Sequence, residues 1–227
     1  MKDIRAVRGR YYIQSLVEEG EHVNQDFKFA VSDARKIARS VSAFANHDGG
    51  RLLIGVKDNG VIAGVRVPDE EIYVVEHAAR RYCSPSQEVR FTLFKVDPGV
   101  VVVRAEVEAA DGRPVLVDEG GGRMQAYFRV ADENIAAHPL MVEAWRRRAS
   151  DTGRTLSFDS GSLCSEILRV LAEGPLPAER LALAVHASAA AVADSVVTLA
   201  SMRLVAFAFD GQMFVPALPG CANSFTI

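Results

Sequence analysis

Apolar positions recur at helical spacing over residues 33–45: Ile37, Val41, Phe44 and Ala45 share one face, and Ser32 or Asp33 just ahead of it supplies an N-cap oxygen. Gly49-Gly50 ends that helix. The following RLLIGVKD is a short apolar run bounded by glycine, the pattern of a strand, and Asp58-Asn59-Gly60 predicts a tight turn into VIAGV. A second helix is expected from Asp69 to Tyr82. EVRFTLFKV and VVVVRAEVEA then alternate about Asp97-Pro98-Gly99 as a hairpin. A flexible loop over Asp118–Gly122 leads into the strand MQAYFRV, and a helix from Pro139 to Arg148 closes this part of the chain.

Beyond it the pattern changes. DTGRTLSFDSG, residues 151–161, is small and polar and reads as a linker, and the chain after it is richer in alanine. Three helices are expected there, in SLCSEILRVLAEG, in PAERLALAVH with Pro177 near its first turn, and in SAAAVADSVVTLASMR from Ser188. LVAFAF and QMFVP form a hairpin about Asp210-Gly211. Three helices followed by such a wing are the winged-helix order, whose third helix enters a DNA groove. The expected organisation is therefore a domain over 1–150, a linker over 151–161, a winged-helix-like domain over 162–220 and a tail over 221–227. In that third helix, however, Asp194 is the only charge before Arg203. Base reading wants Arg, Lys, Asn or Gln, so an alanine-rich face that packs on a second copy, giving a homodimer, is the favoured alternative.

Composition narrows the classes. The 227 residues are 49% hydrophobic and 24% charged, which excludes a mostly disordered chain. No window reaches the ~18 apolar residues of a membrane span, and the N-terminus lacks the basic-apolar-small order of a signal peptide. Three widely spaced cysteines fit a reducing compartment and no zinc site, so a cytoplasmic protein without membrane contact is expected. The net charge of −3 argues against a surface basic throughout, leaving only a local patch for an anionic polymer. No GxSxG elbow surrounds any serine, which removes acyl transfer. Trp145, at helical spacing from Met141 and Arg148, reads as packing.

The densest block is EHVNQDFKF (21–29) with SVSAFANHDGGRLLIGVKDNGVIAGV (40–65). Arg35, Lys36 and Arg39 stand near the start of its helix, where cations oppose the macrodipole, and so point to an outside anion or to a merely solvated face. His47, in the Asn46–Gly50 turn, is a candidate ligand contact. The block resembles the Schlafen AlbA-like family, which carries an acid, then an acid followed by Phe-Lys, then a helix ending Ala-Phe-Ala-Asn, Gly-Gly and a strand with Ile-Gly-Val, a polar residue and Asp. Here these fall on Glu21, Asp26-Phe27-Lys28, Ala43–Asn46, Gly49-Gly50, Ile54–Val56 and Asp58. Tyr127–Val130 matches a later tyrosine strand ending Arg-Val, although Ala131-Asp132 replaces the small Gly-Ser pair that commonly follows.

The resemblance covers about residues 15–140. It implies an α+β protein, a mixed α/β AlbA-like domain followed by a small winged helix, that binds DNA or RNA and acts as a transcriptional regulator. Phosphates would meet Lys28, Arg35, Lys36, Arg39, Asn46, Lys57 and Arg129, with the acidic-Phe-Lys segment and the Asn-glycine turn in one anion-facing groove. Some relatives cleave RNA with three acids, which implies Glu21, Asp26 and Asp58 as Mg²⁺ or Mn²⁺ ligands in a ribonuclease. A shorter aspartate at 26 and a plain turn role for Asp58 oppose this reading. An assembly module without catalysis is a third. The family is also associated with ATP, but this chain has no GxxxxGK[ST], and GGGR at 120–123 lacks the Lys-Ser/Thr that would reach a phosphate and Mg²⁺.

Overall fold

The computed structural model describes residues 5–150, 159, 161–222 and 224–225. The chain divides into two compact units, Met1–Ala136 and Ala137–Ile227. The first carries β1 (Val7–Arg8), α1 (Arg10–Glu19), β2 (Gln25–Lys28), α2 (Ala34–Ala45), β3 (Gly50–Ile54) and α3 (Pro68–His77), which runs into a π-helical turn at Ala78–Tyr82. Then follow β4 (Cys83–Ser84), β5 (Val89–Asp97), β6 (Val100–Val107), β7 (Leu116–Gly120), β8 (Arg123–Val130) and β9 (Glu133–Ala136). One sheet has the order β1-β5-β6-β3-β2 and a second β4-β7-β8-β9. The mixed α+β class expected from the sequence is the one observed.

The period-2 pattern divides the larger sheet between two cores. Leu52, Ile54, Val103, Ala105 and Val107 pack with Ile37, Val41, Phe44 and Ala45 of α2. Their neighbours Leu53, Val102 and Phe27 turn to the other face and pack with Ile13 and Leu16 of α1. β2 and β3 are parallel, with Asp26 beside Leu52 and Lys28 beside Ile54. Since α2 joins them, β2-α2-β3 is a crossover unit that puts the carboxyl ends of both strands and the start of α2 at one end.

Asp33 caps α2, its Oδ1 accepting from the backbone N–H groups of Arg35 (3.0 Å) and Lys36 (3.2 Å). At the other end Gly49 donates its N–H to Phe44 O at φ +76°, and a Cβ there would lie 2.8 Å from Val107 O. The Asn59-Gly60 turn forms, with Gly60 N–H donating to Lys57 O at 2.8 Å. VIAGV does not become a strand: only Val56 bridges Ile62, and Gly64 donates back to Gly55 O.

The expected loop over Asp118–Gly122 is corrected as well. Asp118, Glu119 and Gly120 belong to β7, and Gly121-Gly122 make the turn into β8, all three glycines at positive φ. The short strands β1, β2, β4 and β9, and the helix α1, are additions to what periodicity predicted.

In the second unit lie α4 (Pro139–Ser150), α5 (Leu163–Leu171), α6 (Ala178–Ala184), α7 (Ala189–Ser201), β10 (Ala206–Phe209), β11 (Phe214–Ala217) and β12 (Ser224–Phe225). The three helices and the hairpin fall where the sequence puts them, while α4 belongs to this unit rather than to the first. Residues 151–158 and 160 of the expected linker lie outside the described residues. Part of the expected tail is ordered as β12, which pairs with β10. Ser188 caps α7, and Val192, Val196, Val197, Leu199 and Ala200 are buried. α4 packs on α7, its Met141 and Trp145 are buried, and its Arg147 reaches Asp194 of α7 at 2.9 Å. The apolar face of α7 that suggested a second copy is thus largely used inside the chain. Among the described residues no single helix is long and apolar enough to cross a membrane.

Candidate functional site

The block singled out in the sequence is split by the fold. Asn46 is fully buried. Its Nδ2 donates to Val115 O and Tyr127 O, both at 2.9 Å, and its Oδ1 accepts from Val115 N–H at 2.8 Å. It therefore stitches the end of α2 to β8 and to the residue ahead of β7, and faces no ligand. His47 packs its ring edge-on to Phe128 at 4.7 Å, and burial lowers its pKa, so it too belongs to this packing. The Asn-glycine turn follows the C-terminus of α2, opposite the end where Lys28 and Lys57 emerge. The expected single groove is not formed.

Arg129 is likewise corrected from a phosphate contact to an internal clamp. It is 1% exposed. Its guanidinium donates to Asn134 Oδ1 (3.0 Å), Gln25 O (3.1 Å) and His22 O (3.3 Å), lies 3.7 Å from Asp26 and stands 5.1 Å over the Phe44 ring. Burial pulls its pKa down, and Asp26, Glu21 and Asp132 push it back up.

The three acids do not converge. Asp26 is buried on the α2 side of β2, held by Lys28 Nζ at 2.8 Å, with Ser40 Oγ 3.5 Å away. Glu21 stands beside it and accepts from Phe27 N–H at 2.8 Å. Asp58 is exposed in the turn after Val56. Among the described residues no three His, Cys, Asp or Glu side chains are grouped to hold a metal ion. Glu21, Asp26 and Asp58 thus do not fit Mg²⁺ or Mn²⁺, because Asp26 is committed to cations of the chain itself. No step through a metal follows.

The Glu21 carboxyl has its pKa raised by burial first and by Asp26, against the lowering effect of Phe27 N–H. A raised carboxyl pKa means the folded state holds the proton longer than the unfolded chain. Its contribution is therefore full below the unfolded pKa and lost as pH rises through the folded one. Glu21→Gln keeps an acceptor for Phe27 N–H and gives Asp26 a donor without the like charge. It is expected to stabilise the protein at pH 7 by on the order of 1 kcal/mol, with the gain shrinking toward pH 4. Urea midpoints across that range check this; a gain that grows on acidification would contradict it.

What the crossover does bring together is cationic. Lys28 ends β2, the exposed Arg35 and Lys36 lie in the first turn of α2, and exposed Lys57 follows β3. Lys57 Nζ stands 5.5 Å over the ring of Phe29, which is 54% exposed. Arg39, one turn after Arg35, is fixed by Glu119: its Nε donates to Oε1 at 2.8 Å and its Nη2 to Oε2 at 2.5 Å, and the Tyr127 hydroxyl donates to Oε1 at 2.7 Å. That triad, with Arg123, Gln125 and Met124, lines a cavity of about 490 Å³. The hydrogen bond to Glu119 raises the pKa of Arg39 and lowers that of Glu119, while burial and Glu119 push Tyr127 up to about 12.

Sequence reasoning missed Glu119 and Phe29. Glu119 ends the VLVDE run of β7 directly ahead of three glycines, and Phe29 is the aromatic left over when Phe27 takes the core.

The model of the family described as "Schlafen, AlbA_2" matches residues 21–138, just over half the chain. This chain belongs to that family. Among solved structures it is similar to the N-terminal domain of a RecG-related protein from Nitrosomonas europaea, at 19% identity and TM-score 0.42, over 68% of this chain and 98% of that one. It is also similar to the DIP2311 protein from Corynebacterium diphtheriae, at 17% identity and TM-score 0.42, over 85% of this chain but 34% of that one. The AlbA_2 match spans the β2-α2-β3 crossover, the β7–β9 hairpins and the Arg129 clamp, so the cationic end lies within the family's own part of the chain.

Proposed function

We propose that this AlbA_2 protein binds the phosphate backbone of DNA or RNA without catalysis, through the cationic end of the crossover. The observation that carries the reading is the placement of Lys28, Arg35, Lys36 and Lys57 at one end of a βαβ unit. Among the described residues Arg35, Lys36 and Lys57 are exposed and lack a carboxylate partner. Two of them lie where the macrodipole already disfavours cations, so their cost is offset when a phosphate arrives. Family membership supports the same ligand class. Arg39 contributes less, because Glu119 already neutralises it.

The second unit is read as a winged-helix-like module in a supporting role. The exposed start of α7, Ala189–Ala191, offers no donor to a base edge, and Asp194 is taken by Arg147. A regulator that recognised a DNA sequence would need that readout from elsewhere.

The test is the salt dependence of affinity for labelled single-stranded and duplex oligonucleotides between ~50 and ~200 mM salt. A linear fall of log K with log salt, of slope about −2 to −4 for three to four phosphates, is expected. No binding at ~50 mM would end the proposal.

A further inference from the structure

Beside the cationic end, four side chains form an unbroken series of ring contacts. Tyr73 and His77 of α3, at i, i+4 spacing, lie nearly parallel at 12° with centroids 5.9 Å apart. His77 meets the edge of Tyr82 at 5.6 Å and 86°, and Arg35 Cζ stands 5.1 Å over the Tyr82 ring. Arg35 is thereby a member of both the ring series and the phosphate-facing set.

The outer rings contribute little to the core: Tyr73 is 67% exposed and His77 is exposed too. Exposed Arg80 and Arg81 follow in the π-helical turn, and among the described residues neither has a carboxylate partner. The acids of the region lie mainly at the other end of α3. Asp69 and Glu70 sit in its first turn, Glu71 Oε2 accepts from Val31 N–H at 2.8 Å, and Glu76 is half-buried. Aromatic faces flanked by unpaired cations match the chemistry of an unpaired polynucleotide, whose bases stack and whose phosphates need neutralising. A duplex offers no free base faces except at its ends.

We infer that the Tyr73–His77–Tyr82 series, closed by Arg35, is a stacking track for unpaired bases, so that the phosphate-binding surface prefers single strands. This rests on the phosphate-binding reading above and adds the kind of strand bound. Stacking is tolerant of base identity, and either sugar satisfies the inference.

The experiment compares fluorescein-labelled (dT)15, (U)15, an abasic strand of the same length and a 15-base-pair duplex, with the full chain and with Tyr73→Ala/His77→Ala. The intact protein is expected to bind (dT)15 or (U)15 more tightly than the abasic strand. The double variant should lose that advantage, a fall of roughly five- to hundred-fold, with abasic affinity and salt slope unchanged. Tyr73→Phe keeps the ring and should keep the affinity, which separates a loss of stacking from misfolding. Equal binding of base-bearing and abasic strands by the intact protein, or unchanged (dT)15 and (U)15 affinity in the double variant, would overturn the track and leave the phosphate surface standing. Failure to bind any of the four probes at ~50 mM salt would sink both.

Discussion

Arg129→Met is expected to destabilise the first unit by roughly 3–5 kcal/mol, the largest effect of any single substitution in the AlbA_2 part of the chain. The guanidinium is 1% exposed and joins three elements: β8, which carries it, Asn134 of β9, and the backbone at His22 and Gln25. Its loss removes those bonds and leaves Asp26 buried with Lys28 as its remaining cation. A buried charge pair contributes little net over an apolar replacement of both partners, whereas breaking it by removing one partner is costly. Asp26→Asn in the Arg129→Met background should therefore recover part of the loss, because it removes the uncompensated charge. Urea unfolding of the four proteins in that cycle measures the coupling. A loss under ~1 kcal/mol for Arg129→Met would show that the network carries little of the fold.

That clamp marks where the sequence stops being legible. The apolar face of α2, the β5–β6 hairpin and the three C-terminal helices are local patterns, fixed by period and by caps such as Asp33 and Ser188, and they are present as expected. Arg129 and Asn46 are read wrongly from sequence because a charged or amide side chain next to a surface-like pattern looks solvent-facing. Only the approach of β8 to the end of α2 shows that both are enclosed. Glu119 fails for the opposite reason. Set among glycines it resembles a mobile loop, yet a long-range partner 80 residues away, Arg39, holds it in β7. The three acids show the same limit: motif order preserves Glu21, Asp26 and Asp58 in sequence, but two are drawn into an internal network and the third is left in a turn. What survives is the cation set carried by the crossover itself, since a βαβ unit fixes by topology which chain ends share a side.

The surface prediction follows from that topology and is the larger in functional effect. Replacing Arg35, Lys36 and Lys57 together by alanine is expected to weaken oligonucleotide binding about a hundredfold at ~100 mM salt and to flatten the log–log salt slope by about 2 to 3, because three cations no longer meet phosphates. Stability should change little, because all three side chains are exposed and surface substitutions of this kind fall within about 0.5 kcal/mol. Relief of the macrodipole conflict at the start of α2 favours the variant slightly. A change of three charges by itself would weaken the binding of any polyanion, so the comparison is with Arg10→Ala/Arg90→Ala/Lys95→Ala, which alters net charge equally. Arg10 and Arg90 already pair with Asp97 and Glu108 at 2.8 Å, and all three control residues lie outside the crossover: Arg10 is on α1, and Arg90 and Lys95 are on β5, which β6 separates from β3. If both triple variants lose affinity alike, binding is a property of net charge and the crossover end has no special part in it. If only the first does, with the salt slope reduced and the duplex and abasic strands affected equally, then Arg35, Lys36 and Lys57 act on phosphate, and any remaining preference for unpaired bases is assigned to the Tyr73–His77–Tyr82 track.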